Sequence, residues 1–291
     1  MTESELLTIS KTERYSYLTA IILAIIAFMI TLNNTAETVS VQSENIVLPV
    51  IMYHGFTSES DESEYVLNIV DFEKDIRYLN EEGFAFVTAR EVAEFTSGNG
   101  TLPSKPVMLT FDDGYLNNYT EAFPILKKYN AKAVISPVMY FSEADNCNNK
   151  RNPAYSNLNF DEIKKMSDSG LIEFQNHSYN LHSINHTRHG SGKSKNESQD
   201  EYRKIFYADT IKSHFLLKQI TGEAPIAYTY PFGNISDESK TILKCMGYKL
   251  ALGCAEGINI LKQNNDEICV LKRFNRTPKK SIKDFFSIDY M

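Results

Sequence analysis

The sequence predicts an α/β fold, a closed or nearly closed βα barrel preceded by one N-terminal transmembrane helix. Three observations carry this expectation. Short strand candidates are nearly all apolar, which indicates a parallel sheet covered on both faces. Helical patterns separate them, and the unit recurs some seven times, which favours a closed sheet over an open doubly wound one. Ahead of these units, Tyr15 to Leu32 (YSYLTAIILAIIAFMITL) carries no charge over 18 residues. At 1.5 Å per residue that run gives roughly 27 Å of helix, close to the hydrocarbon thickness of a bilayer.

Residues 1–14 read as a cytoplasmic N-terminus. Lys11 and Arg14 lie against the apolar run and the following NNTAETVS has no positive charge. The positive-inside bias therefore puts the bulk of the chain outside the cytoplasm, retained by the anchor or, alternatively, secreted after signal cleavage. The apolar residues cover every face of the 15–32 segment, which argues against a core helix. Residues 33–45 are polar and aperiodic and read as a stalk, leaving 46–291 as the folded domain. IVLPVIMYH (46–54) opens it as a strand candidate. DFEKDIRYLNEEG follows as a helix, with Asp71 as N-cap, Phe72, Ile76 and Leu79 on one face, and Gly83 closing it. FAFVTA, VMLTFDD, AKAVISPVMY, LIEFQNH, IAYTYPF, KLALGCA and VLKRFNR are the further strand candidates. TEAFPILKKYN, FDEIKKMSDSG, the stretch from Glu201 to Gln219 and SDESKTILKCMG are the helical ones. SINHTRHGSGKSKNES (183–198) reads as an exposed loop.

Composition narrows the function. The chain has 291 residues, 42% hydrophobic and 23% charged, enough for one sizeable core, and a net charge of −7 argues against a nucleic-acid partner. It has no GxGxxG or GxxxxGK[ST] loop for a nucleotide cofactor. The four cysteines, Cys147, Cys245, Cys254 and Cys269, have no CxxC spacing, which removes a zinc ribbon or a thioredoxin motif. Outside the membrane a disulfide is allowed, the pair being open, as is a set of small buried thiols. Oligomeric state has no sequence signal.

Two clusters carry chemistry. The strand VMLTF runs into Asp112, Asp113 and Gly114, two adjacent carboxylates at a strand's C-terminal end, where barrel enzymes build their sites. Adjacent side chains face opposite ways, so one acid can hold a metal while its neighbour addresses the metal's water; a self-solvating Asp-Asp-Gly turn is the alternative. LIEFQN ends on His177, with His182 five residues on. Two imidazoles and one carboxylate make an open metal site of the hydrolytic kind. His186 and His189 fall in the polar loop and read as solvated; His214 falls in a helical pattern and reads as structural.

LTFDDGY (109–115), HSYNLH (177–182) and YPFG (230–233) resemble the first three motifs of the polysaccharide deacetylase family, also called NodB-homology or carbohydrate esterase family 4. The likeness runs from about Leu48 to Arg276. It implies a distorted (β/α) barrel of that family's type, a divalent metal such as zinc, and N-deacetylation of an N-acetylated amino-sugar polysaccharide of the cell wall or an exopolysaccharide, with release of acetate. Carried over position by position, Asp113, His177 and His182 look like the metal ligands and Asp112 like the general base. The histidine step and the element VIMYHGF (50–56) resemble the branch of biofilm poly-N-acetylglucosamine deacetylases, in which His54 would be the general acid.

The third motif departs from the family pattern: there is no Arg between Lys218 and Lys240. Arg273 is the candidate to orient Asp112, or else a structural ion-pair partner. Tyr53, Tyr115, Tyr179, Tyr230 and Phe232 flank the motifs; Tyr115, Tyr230 and Phe232 are expected to contact sugar and the others to be core or rim aromatics. The same constellation also suits a metal-dependent amidase on a non-carbohydrate substrate, and a catalytically dead glycan-binding protein is the remaining alternative, against which the intact acids and histidines speak.

Overall fold

A computed structural model describes residues 45–59, 63–185, 187–265 and 267–286. The expected cytoplasmic segment, the anchor at 15–32 and the stalk up to residue 44 lie outside the described residues. No helix among the described residues is long and apolar enough to cross a membrane.

Pro49 divides the first expected strand. Without an N–H it cannot donate to a ladder, and the chain forms β1 (Ile46–Leu48) and then β2 (Val50–Tyr53). β3 (Gly55–Thr57) and β4 (Val66–Asn68) pair in parallel, and α1 (Ile69–Glu81) follows. Asn68, not Asp71, caps α1, its side chain accepting from the Val70 N–H at 2.9 Å. The helix starts three residues earlier than the periodicity suggests, so Asp71 falls in the first turn, where a carboxylate complements the helix dipole, and Gly83 follows the end at φ +75°.

Beyond α1 come β5 (Ala85–Phe86), α2 (Ala89–Thr96) and β6 (Pro106–Asp113). The helix expected over TEAFPILKKYN starts as a π-turn over 118–122 and becomes α3 (Phe123–Lys128); Pro124, lacking an N–H, leaves the i−4 pattern incomplete there. β7 (Ala133–Pro137) gives way to α4 (Met139–Asn146) earlier than the apolar run suggests. α5 (Phe160–Asp168), β8 (Ile172–Phe174), α6 (Gln199–Thr221), β9 (Ala227–Thr229), α7 (Asp237–Cys245) and β10 (Leu250–Leu252) follow as expected. The described residues end with β11 (Asn259–Leu261), β12 (Cys269–Leu271), β13 (Phe274–Asn275) and α8 (Ile282–Phe286).

The pairings make a ring. Parallel contacts run β13–β2–β6–β7–β8 and β9–β10–β12, while β1 and β11 form a separate antiparallel pair. Lys272 and Arg273 carry the chain from β12 directly into β13, which joins the two sheets on one side. On the other side the bridge between Asn176 and Tyr228 joins β8 to β9, and the Gln175 side chain accepts from the Ile226 and Ala227 N–H groups at 2.8 and 2.7 Å. This second join consists of one backbone bridge and the Gln175 side chain in place of a full ladder, which is the distortion in the barrel.

Strand alternation sorts the core. Val50, Met108, Val134, Ala227, Leu250, Leu252 and Leu271 pack together as the interior of the ring. Ile51, Leu109, Phe111 and Ile135 face outward against Phe72, Ile76 and Leu79 of α1 and Ile163 of α5, all fully buried; each such side chain contributes about 1.5–3 kcal/mol. Tyr228, Tyr230 and Ala251 face α6 and α7. All four cysteines are free thiols, with Cys147, Cys245 and Cys254 exposed, so neither a disulfide nor a set of buried thiols describes them.

Candidate metal-dependent active site

The inward series Met108, Thr110 continues to Asp112, whose carboxylate therefore sits at the top of the ring's interior. Arg273, fully buried at the β12–β13 crossing, reaches it with two hydrogen bonds, 2.7 Å to Oδ1 and 2.8 Å to Oδ2. The same guanidinium donates to the Gly253 carbonyl at 2.7 Å, which fixes its plane. Burial alone would raise the Asp112 pKa; the guanidinium more than offsets this and holds it below the usual carboxylate range.

Asp113 breaks the strand at φ +68°, outside ordinary extended geometry, and this re-aims its side chain. Gly114 follows at φ +72°, where an added Cβ would come within 2.6 Å of the Pro137 Cβ. Two other non-glycine residues at positive φ, Ser178 (+72°) and Phe232 (+57°), lie in the other two motifs. Strain of this kind costs about 1–3 kcal/mol per residue and concentrates at functional sites.

His177 and His182 converge on Asp113: their Nε2 atoms lie 3.5 and 3.1 Å from its Oδ1. One ligand atom from each of the three residues falls within 4.8 Å of the others. His177 Nδ1 lies 2.8 Å from the Thr229 carbonyl, so it carries the proton and the Nε2 lone pair is left facing Asp113. The loop between the histidines is held from behind by Asp209 on α6, whose oxygens accept from the Tyr179 and Asn180 N–H groups at 2.8 and 2.7 Å. Asp113 Oδ1 is buried and accepts no well-directed hydrogen bond. An orphaned carboxylate oxygen facing the Nε2 atoms of two imidazoles fits a divalent cation with N/O preference, zinc among them.

His54, at the end of β2, belongs to the same electrostatic neighbourhood. Burial lowers its pKa, and the charges of Asp112 and Asp113 act in the opposite sense. Its carbonyl accepts from the Asn118 side chain at 2.8 Å, and its ring meets Tyr65 edge-on, centroids 4.8 Å apart.

Of the three aromatics expected at the sugar, two are at the site. Tyr115 is partly buried, and its hydroxyl pKa is raised first by burial and then by the charge of Asp113 and a hydrogen bond to it. Phe232 is 41% exposed and packs on His182 at 4.6 Å between centroids and on His189 at 5.1 Å. His189 is exposed as expected, yet it has this ring as a neighbour. Tyr230 is a correction: it is fully buried among the aromatics under α6 and α7, its hydroxyl 2.8 Å from Ser239 Oγ, so it is a core residue. Tyr53 is likewise core. His214 contacts the Tyr248 hydroxyl at 3.2 Å on α6, a structural position. Thr229, Asp209 and Tyr65 had no sequence signal as site residues; the first acts through its backbone, the second from a helix, and the third from a segment without a motif.

The polysaccharide deacetylase family model matches residues 99–251, more than half of the chain. His54 and Arg273 both fall outside that span. The poly-beta-1,6-N-acetyl-D-glucosamine N-deacetylase of Staphylococcus aureus (strain MSSA476) is 27% identical over 201 residues, 69% of this chain and 65% of that protein. The enzyme of the same name from Escherichia coli (strain K12) is 25% identical over 262 residues, 81% of this chain and 37% of that protein. The chain thus spans less than two thirds of either relative. Among solved structures, the Streptococcus pyogenes deacetylase PplD in complex with acetate superposes with a TM-score of 0.67 at 25% identity, covering 83% of this chain and 97% of that one.

Proposed function

Since the chain belongs to the polysaccharide deacetylase family, we propose that it is a metal-dependent hydrolase that removes N-acetyl groups from a poly-N-acetylglucosamine-type polysaccharide and releases acetate. The observation that carries this reading is the convergence of Asp113, His177 and His182 beside the buried Asp112–Arg273 pair. The substrate class follows the names of the staphylococcal and E. coli relatives.

Asp113, His177 and His182 would hold a divalent metal, zinc in this reading, whose Lewis acidity would polarise the acetamide carbonyl and acidify a water. Asp112 takes the proton of the attacking water as general base; Arg273 keeps that carboxylate ionised and aimed. A backbone N–H near Phe232, as the family pattern implies, would stabilise the charge that develops on the carbonyl oxygen. His54 protonates the departing amine. Acetate and a free amino sugar result. The uncharged 15–32 run and the flanking Lys11 and Arg14 support an extracytoplasmic domain on a single-pass membrane anchor.

The test is mass spectrometry of defined N-acetylglucosamine oligomers incubated with the metal-loaded protein, with and without chelator. Chelator-sensitive loss of acetyl groups, abolished in Asp112→Asn protein that still binds metal, is the expected result. Hydrolysis of simple acetamides with every glycan left intact would overturn the polysaccharide reading in favour of a general amidase.

A further inference from the structure

Two exposed aromatic side chains pack on site histidines, and they rise from different sectors of the ring. Phe232 follows β9 and lies on His182; Tyr65 lies on His54, which ends β2. In the ring order β2–β6–β7–β8–β9, three strands separate these two sectors. Tyr65 is 53% exposed, so much of its ring faces solvent beyond the contact with His54. Its position is nevertheless built. The Tyr65 carbonyl accepts from the Gly55 N–H at 3.0 Å, its N–H reaches Ser63 Oγ at 3.4 Å, and the Ser63–Val66 bridge closes the turn beneath it.

The segment that carries Tyr65 is a ridge between two cavities. One, of 440 Å³, is lined by Phe56, Val66 and Asn117 among others; the second, of 740 Å³, is lined by Ser63, Glu64 and Asn275 among others. Each is large enough to take a ligand of small-molecule size. A ridge topped by an aromatic ring, with room on both sides, suits a chain of sugars that continues past the reacting unit.

From this geometry we infer that Tyr65 is a specificity-determining residue, the β2-side aromatic wall on which the pyranose ring of the reacting N-acetylhexosamine lies, facing Phe232 on the β9 side. The inference rests on the proposed glycan deacetylation and names a substrate contact within it. A pyranose ring offers C–H bonds from its face, which an aromatic ring receives well, and a small acetyl compound without a sugar offers nothing for Tyr65 to hold.

The experiment compares kcat and KM of the metal-loaded wild type, Tyr65→Ala and Tyr65→Phe on an N-acetylglucosamine tetramer and on ethyl acetate, an acetyl ester with no ring for Tyr65 to stack on. Tyr65→Ala is expected to raise KM for the tetramer, so that the tetramer-to-ester ratio of kcat/KM falls roughly tenfold, the size of one aromatic contact. Tyr65→Phe, which keeps the ring, is expected to restore most of that ratio. An unchanged ratio in Tyr65→Ala, or an equal fall on both substrates, overturns the inference, the latter because it marks a ring that acts through His54 or the fold. A wild type active on the ester and inert on the tetramer overturns the functional reading beneath it, which separates the two failures.

Discussion

Arg273 closes on both carboxylate oxygens of Asp112, at 2.7 and 2.8 Å, in a pair whose side chains are 0% and 5% exposed. A planar guanidinium matches a carboxylate in two directions at once, which a lysine ammonium does not. The pair therefore sets both the charge and the aim of the proposed base. Arg273→Lys is expected to lower kcat/KM by roughly tenfold to a hundredfold with metal content unchanged. Arg273→Ala, which strands a buried carboxylate, is expected to cost about 3–5 kcal/mol of stability as well. Steady-state kinetics with metal analysis and urea unfolding measure both. A lysine variant with wild-type kinetics would reduce Arg273 to a structural partner.

Asp209 holds the loop that carries His177 and His182 without touching either histidine. Its two oxygens receive the N–H groups of Tyr179 and Asn180. Supports of this kind behind metal ligands are worth roughly tenfold to a hundredfold in metal affinity. Asp209→Ala is expected to weaken zinc binding by that factor, measured by competition against a chelating dye, with helix content by circular dichroism preserved. Unchanged affinity would mean the loop is held by its other contacts, such as the Asn176 side chain accepting from the Ser178 N–H.

These two residues also mark where sequence reading succeeds and where it stops. The candidate metal ligands Asp113, His177 and His182 and the proposed base Asp112 belong to short motifs of uncommon residue types at strand ends, so they stand out in the chain. Arg273 was legible as a candidate alone, because it meets Asp112 across 161 positions and no local pattern records that meeting. The Thr229 carbonyl that orients His177 has no side-chain identity to read. Tyr230 was misassigned because motif proximity says nothing of facing: it shares the outward parity of Tyr228, and the positive φ of Phe232 is what turns the next exposed ring to the site. The barrel was visible in its apolar strands, whereas β3, β4 and β11, three residues each, are too short to show a period. α2 went unseen although Thr88 and Glu91 spell the capping box that starts it.

Asp75 gives a pH dependence that is independent of the metal site. On α1, it pairs with Arg276 at 2.7 and 3.2 Å and accepts from the Tyr53 hydroxyl at 3.3 Å. Burial outweighs these partners and raises its pKa to about 6. The folded value lies above the unfolded one, near 4, so the proton binds the folded state more tightly. That contribution is complete below about pH 4 and is lost as pH rises through 6. The unfolding free energy of the wild type minus that of Asp75→Asn is therefore expected to grow by up to about 3 kcal/mol between pH 7 and pH 4. Urea titrations of chelator-treated protein across that range measure it; a flat difference would show that Arg276 keeps the carboxylate ionised throughout.

Gly114 and Gly222 separate backbone strain from crowding. Both sit at positive φ, +72° and +83°. A Cβ at Gly222 meets nothing within 4 Å, whereas one at Gly114 meets the Pro137 Cβ at 2.6 Å and its Cα at 2.9 Å. Gly222→Ala carries the conformational cost alone, about 1 kcal/mol, and is expected to leave kinetics untouched. Gly114→Ala adds a clash with a neighbouring strand, about 1–3 kcal/mol more. The clash is relieved by parting β6 from β7 where Asp113 pairs with Pro137, and that movement carries the Asp112 and Asp113 carboxylates off their partners. Gly114→Ala is thus expected to lose zinc affinity and activity together, beyond its loss of stability. Thermal melts and zinc titrations of the two variants side by side decide it, and equal behaviour of the two would remove the close approach at Gly114 as the reason for that glycine.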